Sequence, residues 1–495
     1  MKFFRILLLC LLPQFLLTQE HDNPMKRRHV ELELDSIRTG DKWWKNSLLT
    51  GPALNVDSGV YHFVATPIWD LTGGSVAGER TMVNTRGAMI QGDFFDKVTF
   101  ASAIFENQVI VPGFVRNYVN PRYVYPGGAR VKDYKSSLGY DFFYATSFIN
   151  YKSSKHFNIE LGNGKHFIGE GYRSLLLSDN AFNYPYLKMQ SKFWRINYTN
   201  LYAELMDIYD SGNVDQIFTK KYFATHLLDF KVSDWLNIGI FETVVWGRDS
   251  VSSRKVELQY LNPIIFFRPV EFSLGSPDNV MIGLNINSHF DNGLSIYGQI
   301  VLDEFLLSEI KARNGWWANK YGGQLGMKWN DFLKVKNLNV LGEVNIVRPF
   351  TYTHFNRINN YGHFNQSLAH PLGANFSELV GQVSYKYKKF YADTKLSYAS
   401  YGADSTNSTF TYGGDLFRSY NDRAMIYGNT IGQGLNTKYL FGELKLGYEF
   451  NPVTKMRTEV SFYRRTILIS EQTESINWLS ISFKTLIGNR YLDFL

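Results

Sequence analysis

The chain has 495 residues, a formal net charge of +7, one cysteine and 16% aromatic residues, including 32 Tyr and 38 Phe. Soluble domains rarely bury that many rings, whereas a transmembrane β-barrel places them in girdles at both membrane–water interfaces. Mean hydropathy is -0.22, and after the first twenty residues no stretch reaches the ~18 apolar residues that a spanning helix needs. Composition therefore excludes a helical membrane protein. The basic residues are dispersed among acids, which argues against a nucleic-acid partner and weakly favours anionic ligands.

The N-terminus has the pattern of a secretory signal peptide. Two basic residues among the first five precede an apolar run, Ile6–Leu17, and polar residues begin at Thr18. We predict a signal peptide over residues 1–19, cleaved near Thr18. A lipoprotein signal at Cys10 is disfavoured because the run before it is very short. Such cleavage removes Cys10, which excludes a disulfide, a thiolate metal site and a Cys nucleophile in the mature chain.

Residues 20–52 are charged and lack the pattern of the rest of the chain. A stretch within them, Asp35–Leu49, is compatible with a short helix and contains Trp43 and Trp44. We predict a periplasmic or plug-like N-terminal segment here, followed by a barrel over residues 53–495.

From about residue 53 onward, segments of roughly ten residues alternate apolar and polar side chains. In the segment 440–450, Leu440, Leu444 and Leu446 fall on one face, whereas Glu443 and Lys445 fall on the other. A half-buried soluble sheet shows the same alternation, so the pattern needs support. The support is the signal peptide, the lack of a convincing amphipathic helix, and a chain end, 491–495, resembling the aromatic-terminated last strand of outer-membrane barrels.

These observations predict an all-β fold, a single large antiparallel transmembrane β-barrel with a short, partly helical N-terminal segment. The mature length divided by ~10 residues per strand, plus turns and loops, gives roughly 16–18 strands. Regions rich in Gly, Asn, Tyr or Pro predict long loops at 112–137, 248–256, 351–376 and 401–437, and a tight turn is predicted at Lys388–Lys389.

The most informative motif is the glycine-rich block 161–180, which reads LGNGKHFIGEGYRSLLLSDN. It is followed in order by YLNP at 260–263, SPDN at 276–279, YGQ at 297–299 and LDEF at 302–305. This ordered set resembles the Wzi-type capsule-assembly family, outer-membrane barrels that bind capsular polysaccharide. The segments WWANKYG at 316–322 and AHPLGANF at 369–376 are similar to the RemB-like gliding-motility members of that family from Bacteroidetes.

The resemblance implies a non-enzymatic outer-membrane barrel that binds or organises surface (capsular) polysaccharide. The expected partners are an anionic surface polysaccharide, outer-membrane lipid and, for RemB-like members, gliding or surface-adhesion machinery. The alternatives are a diffusion porin or solute transporter and, with less support, an outer-membrane hydrolase.

Two other interpretations of the glycine-rich block fail. A phosphate-binding P-loop needs Gly where Ile159 stands and Ser or Thr where His166 stands. A dinucleotide fingerprint needs a βαβ unit, which does not surround the block. The glycines are expected to allow tight turns and close backbone approach inside the lumen. The second hypothesis for the block is that Lys165, Tyr172 or Arg173 contacts a ligand.

A Tyr-, Asn- and His-rich loop is the other candidate ligand region. His354, His363 and His370 lie in it, but their spacings match no compact metal site. We therefore predict neither a metal nor a cofactor. Aromatic faces stack on pyranose rings and Asn or His side chains hydrogen-bond hydroxyls, although a self-packed polar loop capping the barrel explains the composition equally well. The candidate glycan-contacting residues of this loop are Tyr352, His354, Tyr361, His363 and Asn365.

Charged residues of the predicted barrel are expected to pair inside the lumen. Adjacent residues of a strand point to opposite faces, so Asp303 and Glu304 are not expected to share a proton-transfer site. Neither Gly-x-Ser-x-Gly nor His-Glu-x-x-His occurs, and we predict no catalytic residues. The candidate members of the lumenal charge network are Arg268, Glu271, Glu304, Glu343 and Arg348.

Overall fold

A computed structural model of the chain describes residues 51–135, 138–211, 217–247, 257–264, 266–275, 278–405, 408–485, 488 and 490–495. The predicted signal peptide, the predicted helix Asp35–Leu49 and nearly all of the predicted N-terminal segment lie outside these residues, as does the predicted loop 248–256.

Eighteen antiparallel strands of the described chain close into a barrel, at the upper end of the predicted range. Each of these strands pairs with the one that precedes it and the one that follows it along the chain. The barrel closes where residues 478–484 of the last strand pair with residues 70–76 of the first. They are β2 (Tyr61–Val76), β3 (Glu79–Phe94), β4 (Val98–Ile110), β6 (Gly139–Lys152), β7 (Phe157–Gly164), β8 (Tyr184–Phe193), β9 (Ile196–Asp207), β10 (Thr219–Lys231), β11 (Leu236–Gly247), β12 (Asn279–His289), β13 (Leu294–Glu304), β14 (Lys320–Trp329), β15 (Leu338–Val347), β18 (Phe376–Tyr387), β19 (Phe390–Ala403), β20 (Leu435–Asn451), β21 (Met456–Ile469) and β22 (Gln472–Lys484).

Short elements accompany the barrel. Strands β1 (Leu54–Asp57) and β5 (Lys132–Tyr134) extend its edges beside β2 and β6, and β16 (Gly362–His363) pairs with β17 (Gln366–Ser367) in a separate hairpin. In the part of the chain that the structure describes, three α-helices lie between strands: α1 (Gly113–Arg122), α2 (Phe267–Leu274) and α3 (Leu307–Ala312). None of the helices that the structure describes is long and apolar enough to cross a membrane.

The two ends of the barrel differ in the length of their connections. At one end, which we call the short-turn end, strands are joined by connections such as 194–195 and the predicted turn 388–389. At the other, the long-loop end, the connections include 165–183, 348–375 and 404–434. Outer-membrane barrels carry short turns on the periplasmic side and longer loops outside the cell. By this rule we expect the long-loop end to be the extracellular one.

The predicted division of faces is confirmed. On β20, Leu440, Leu444 and Leu446 are 50%, 41% and 51% exposed on the outer wall, whereas the inward Glu443 is buried. A closed barrel leaves no unpaired strand edge at membrane depth, where lipid offers no hydrogen bonds. Exposed aromatic side chains surround the short-turn end and form an aromatic girdle: Phe94, Phe95, Trp194, Trp235, Phe290 and Phe390.

The predicted final strand over 491–495 is wrong. Strand β22 ends at Lys484, and residues 490–495, which we call the tail, fold into the lumen. There the Tyr491 hydroxyl donates to Asp179 at 2.7 Å and Phe494 packs edge-on against Tyr118 of α1. The sequence resembles a strand because its apolar residues need burial, which the lumen supplies in place of lipid.

Candidate functional site

Residues 165–183 between β7 and β8 form a plug across the lumen, which we call the lumenal plug. Leu175, Leu176 and Leu177 are fully buried and pack among inward side chains such as Phe223 of β10 and Phe241 of β11. Arg173 reaches β18, the ninth strand from β7 and hence the opposite side of an 18-stranded barrel. The plug thus spans the diameter of the lumen.

Arg173 is the centre of a buried ionic network. One terminal nitrogen lies 2.9 Å from a Glu378 carboxylate oxygen and 3.1 Å from an Asp493 oxygen. Lys395 approaches Asp493 at 3.0 Å, and the Tyr172 hydroxyl donates to it at 2.6 Å. Burial opposes ionisation of Asp493, but the charges of Arg173 and Lys395 hold its pKa well below the usual range. The network ties the plug to the wall and to the tail.

Backbone groups of the plug approach the wall closely where the glycines stand. The Glu343 carboxylate of β15 accepts from the N–H groups of Tyr172 at 2.7 Å and Arg173 at 3.0 Å. A Cβ at Gly171 would overlap that carboxylate, and Gly169 has a φ of +123° with Gln299 against it. The predicted close backbone approach at the glycines is therefore confirmed.

The connection 348–375, which we call the inner loop, fills the lumen beside the plug. Its Tyr352 hydroxyl donates to the carbonyl of Leu175 at 2.8 Å, and its Tyr361 hydroxyl to that of Leu176 at 2.7 Å. Ser178 of the plug donates in turn to the carbonyl of Ala369. The predicted loop is thus long and Tyr- and Asn-rich, but most of it is inside the barrel.

His363 of the inner loop is held neutral by its burial. Its Nδ1 accepts from the N–H of Met206 at 2.9 Å, so the proton is on Nε2, 3.1 Å from the carbonyl oxygen of Asn183. Burial lowers the pKa of His363 to about 3. Burial and the nearby charge of Lys320 lower the pKa of His354 to about 4. Both imidazoles are uncharged at neutral pH.

Two cavities in the lumen flank the tail. The larger, about 270 Å³, is lined by Tyr172 and Lys395 together with Trp478 and other inward side chains of the last three strands. The smaller, about 160 Å³, is lined by Lys165, whose Nζ donates to the carbonyls of Gly127 at 2.6 Å and Asp179 at 3.1 Å. Burial lowers the pKa of Lys165 to about 8.

An aromatic surface lies at the long-loop end, above these segments. The ring of Trp317 lies 4.7 Å from that of Tyr420, and the Arg423 guanidinium lies 4.5 Å above Trp317. Phe355, 41% exposed, extends the surface, and the His354 ring, which is buried, packs against Phe355 and Tyr420. We call Trp316, Trp317, His354, Phe355, Tyr420 and Arg423 the outer aromatic cluster.

The structure separates the predicted ligand contacts into three places. Lys165 and Tyr172 line the cavities, and His354 belongs to the outer aromatic cluster. The remaining five are buried and bonded to other parts of the protein, Asn365 for instance donating to the carbonyl of Arg122 at 3.1 Å. Their role toward a glycan stays a prediction. The five are Arg173, Tyr352, Tyr361, His363 and Asn365.

Several residues of the site escaped the sequence analysis. Trp316 and Trp317 stand in a segment that resembles the family, but the sequence does not show that Trp317 contacts the distant ring of Tyr420. Tyr420 and Arg423 lie in the predicted loop 401–437, where nothing distinguishes them from neighbouring polar residues. Asp493 was assigned to a strand, which hid its part in the ionic network.

The predicted lumenal charge network is partly wrong. Glu343 belongs to it, but Arg268 and Glu271 pair at 2.9 Å on α2, outside the barrel. Arg348 bonds instead to the carbonyl of Asn319 at 2.8 Å.

Asp303 and Glu304 also differ from expectation. Both carboxylates approach Lys320 Nζ, at 3.1 and 3.5 Å. A register shift between Leu302 and Glu304 breaks the alternation on which the prediction rested.

The three histidines of the inner loop do not come together. His363 binds the backbone as described, and His370 lies 2.7 Å from Glu378. Among the residues that the structure describes, no group of three or more His, Cys, Asp or Glu side chains is placed to hold a metal ion.

Comparisons with known proteins bear on the fold. A scan of protein families finds no match, and a search of curated proteins finds none either. Among solved structures, the chain is similar to Wzi, an outer-membrane protein involved in group 1 capsule assembly in Escherichia coli and described as a carbohydrate-binding β-barrel. The identity is 12%, 85% of each chain is covered and the TM-score is 0.52.

Two further solved structures match less well. OprD of Pseudomonas aeruginosa has 10% identity over 86% of this chain and 96% of its own, with a TM-score of 0.44. OpdK of the same organism, solved with vanillate, has 8% identity over 85% and 97%, with a TM-score of 0.47. The similarity to Wzi shows that the chain has the fold of an outer-membrane β-barrel.

Proposed function

We propose that this barrel is a non-enzymatic protein that binds or organises surface polysaccharide at its long-loop end. The observation that carries the proposal is an aromatic, basic surface on the extracellular side of a lumen filled by the plug, the inner loop and the tail. A filled lumen suits a binding protein better than an open diffusion pore.

The chemistry of the outer aromatic cluster suits sugars. The rings of Trp317 and Tyr420 offer stacking surfaces for pyranose rings, and the Arg423 guanidinium offers hydrogen bonds to hydroxyls. Arg423 adds a positive charge that attracts the carboxylates of acidic glycans. The net charge of +7 favours the same class of ligand.

The finer assignment is to capsule assembly of the Wzi type, with a RemB-like part in gliding motility or surface adhesion in a member of the Bacteroidetes. Its support is the ordered set of sequence blocks together with the structural similarity to Wzi. A deletion strain is expected to lose retained surface glycan or to spread poorly on agar. Normal glycan, adhesion and spreading would contradict the assignment.

Binding is tested on the refolded full chain with an array of acidic and neutral bacterial oligosaccharides. We expect Trp317→Ala to lose about two- to tenfold in affinity for the glycan that the unchanged protein binds, because an aromatic stacking contact is worth about 0.5–1.5 kcal/mol and tenfold in affinity corresponds to about 1.4 kcal/mol. Phe410→Ala is the matched control, since Phe410 is 57% exposed in the same loop region but outside the cluster. Equal losses of affinity in Trp317→Ala and Phe410→Ala would contradict the proposal. So would a failure of the unchanged protein to bind any oligosaccharide on the array.

The alternative is a diffusion porin or solute transporter, and planar-bilayer conductance separates the two. The proposal predicts a silent barrel, whereas a steady open channel favours the porin. Hydrolysis of glycan, lipid or peptide by the purified protein would contradict the non-enzymatic part of the proposal.

A further inference from the structure

Three polar side chains stand side by side on the outward face of the barrel wall. Asn200 of β9 is opposite His226 of β10, which is opposite Glu242 of β11. They point outward because their chain neighbours Leu201, Leu227 and Phe241 pack in the lumenal core. We call Asn200, His226 and Glu242 the polar row.

The polar row is covered although it faces away from the lumen. Its members are 3%, 6% and 8% exposed. The cover is the segment 257–264 and 266–275, which includes α2 and which we call the outer cover. The Phe267 ring lies 4.2 Å from the His226 ring, and the backbone N–H of Arg268 donates to the Glu242 carboxylate at 3.1 Å.

Further contacts hold the outer cover against the outer wall. The Tyr198 hydroxyl donates to the carbonyl of Pro263 at 2.6 Å, and the Tyr202 hydroxyl to that of Leu261 at 3.1 Å. Tyr198 and Tyr202 are an even number of residues from Asn200 on β9, and Leu201 between them packs in the lumenal core, so both tyrosines also face outward. The segment therefore descends from the long-loop end along the outside of the barrel.

The polar row lies at membrane depth. Trp235 marks the aromatic girdle at the short-turn end, and Glu242 follows seven residues later on β11. With a rise of about 3.3 Å per residue and a tilt of about 40°, Glu242 is about 18 Å above the girdle, inside an apolar band about 25 Å tall. Lipid would satisfy none of the polar groups there, so the row needs a protein cover.

Four large apolar side chains of the outer cover face away from the barrel, and the exposed Arg268 guanidinium beside them is paired with Glu271 at 2.9 Å. Leu258, Ile264, Phe266 and Phe272 are 77%, 81%, 72% and 88% exposed. This surface continues the lipid-facing wall, where Ile240 of β11 is 57% exposed and Ile282 of β12 is 42% exposed. We infer that the outer cover is embedded in the outer leaflet, where these four side chains contact lipid acyl chains and the segment seals the polar row from them.

The test is a spin-label depth measurement on the full chain refolded in phosphatidylcholine vesicles. Cys10→Ser removes the only native cysteine, and single labels are placed through Phe266→Cys and Phe272→Cys. Ile240→Cys is the control for a lipid-facing position, and Ile426→Cys, at a residue 52% exposed in the connection 404–434, is the control for water. Slower gel mobility after heating verifies that each variant is folded.

We expect both labels to collide with dissolved oxygen as often as the label at 240, and to lose accessibility to a water-soluble nickel chelate relative to the label at 426. Access to the nickel chelate at the level of position 426 would overturn the inference by placing the segment in water. Low access to both reagents would overturn it as well, because a second copy or another protein would then cover the surface.

Discussion

At the scale of single residues, the lumen is held by charges that have no access to water. Arg173 and its partners Glu378 and Asp493 are each about 1% exposed. Removing one member of such a group leaves its partners charged and desolvated, which costs about 3–5 kcal/mol. We expect Arg173→Met to destabilise the barrel by about that amount, measured by urea unfolding in detergent.

A surface pair serves as the control for this measurement. Lys220 and Glu204 lie 2.8 Å apart at the long-loop end, with side chains 43% and 27% exposed, so Lys220→Met should cost no more than about 1 kcal/mol. Replacing Arg173, Glu378 and Asp493 together by Met, Gln and Asn should recover part of the loss. Equal effects of Arg173→Met and Lys220→Met would show that the network is not a source of stability.

His363 makes stability depend on pH. Its pKa is about 3 in the folded chain against an ordinary 6.5, so below pH 6.5 the unfolded chain binds a proton that the folded one does not. The contribution of the neutral imidazole is complete above pH 6.5 and is lost as the pH falls toward 3. At pH 5 the loss is about 2 kcal/mol.

The His363→Gln variant isolates this effect, because Gln offers one acceptor and one donor but no proton to bind in this range. We expect the stability advantage of the unchanged protein over the variant to shrink by about 2 kcal/mol between pH 7.5 and pH 5, measured by urea unfolding at each pH. An advantage that stays constant would mean that another group carries the acid sensitivity.

At the scale of elements, the strands were predictable and the fillings of the lumen were not. Leu444 and Glu443 alternate within one segment, so their opposite faces follow from adjacent residues. The network of Arg173 with Asp493 joins residues more than 300 positions apart, and no local pattern records such a contact. The sequence therefore predicts a strand where the tail folds into the lumen. It likewise predicts turns where the glycine-rich block forms the lumenal plug.

The outer aromatic cluster shows the same limit. The sequence marks His354 as a candidate ligand contact and the pair Trp316–Trp317 only as part of a segment that resembles the family, and only the fold places them beside Tyr420. In contrast, the prediction of a close backbone approach at Gly169 and Gly171 is confirmed. Such an approach excludes a Cβ atom, so glycine itself signals it in the sequence.

The lumenal plug can be removed as one element. Gly164 of β7 pairs with Tyr184 of β8, so a four-residue Gly/Ser turn is long enough to replace residues 166–182. We expect this variant to conduct ions in planar bilayers, because the element that spans the lumen is gone. The connection 404–434 gives the control, since Ala403 pairs with Leu435 and the same replacement there leaves the plug in place. A silent plug-deleted barrel would show that the inner loop and the tail close the lumen unaided.

At the scale of the whole molecule, the chain combines a lipid-facing shell with an interior packed like a soluble protein. The inward faces carry buried ionic networks that a membrane would not tolerate, and the outward faces carry large exposed aliphatic and aromatic side chains. Closure of the eighteen strands keeps the two environments apart. The same substitution should therefore have effects that depend on its depth along the outer wall.

Leu444 is suited to test this, because it is 41% exposed on the outer wall near the middle of β20. An arginine at the bilayer midplane costs about 2–4 kcal/mol, whereas one near the interface costs about 0–1 kcal/mol. We expect Leu444→Arg to reduce the stability of the barrel folded in phosphatidylcholine vesicles by the larger amount. Stability is measured by urea titration with gel mobility as the readout. Val335→Arg is the matched change at the short-turn end, where Val335 is 44% exposed, and it should fall in the smaller range. Similar costs at the two positions would mean that Leu444 faces water or protein instead of lipid, which is incompatible with a membrane-spanning wall at β20.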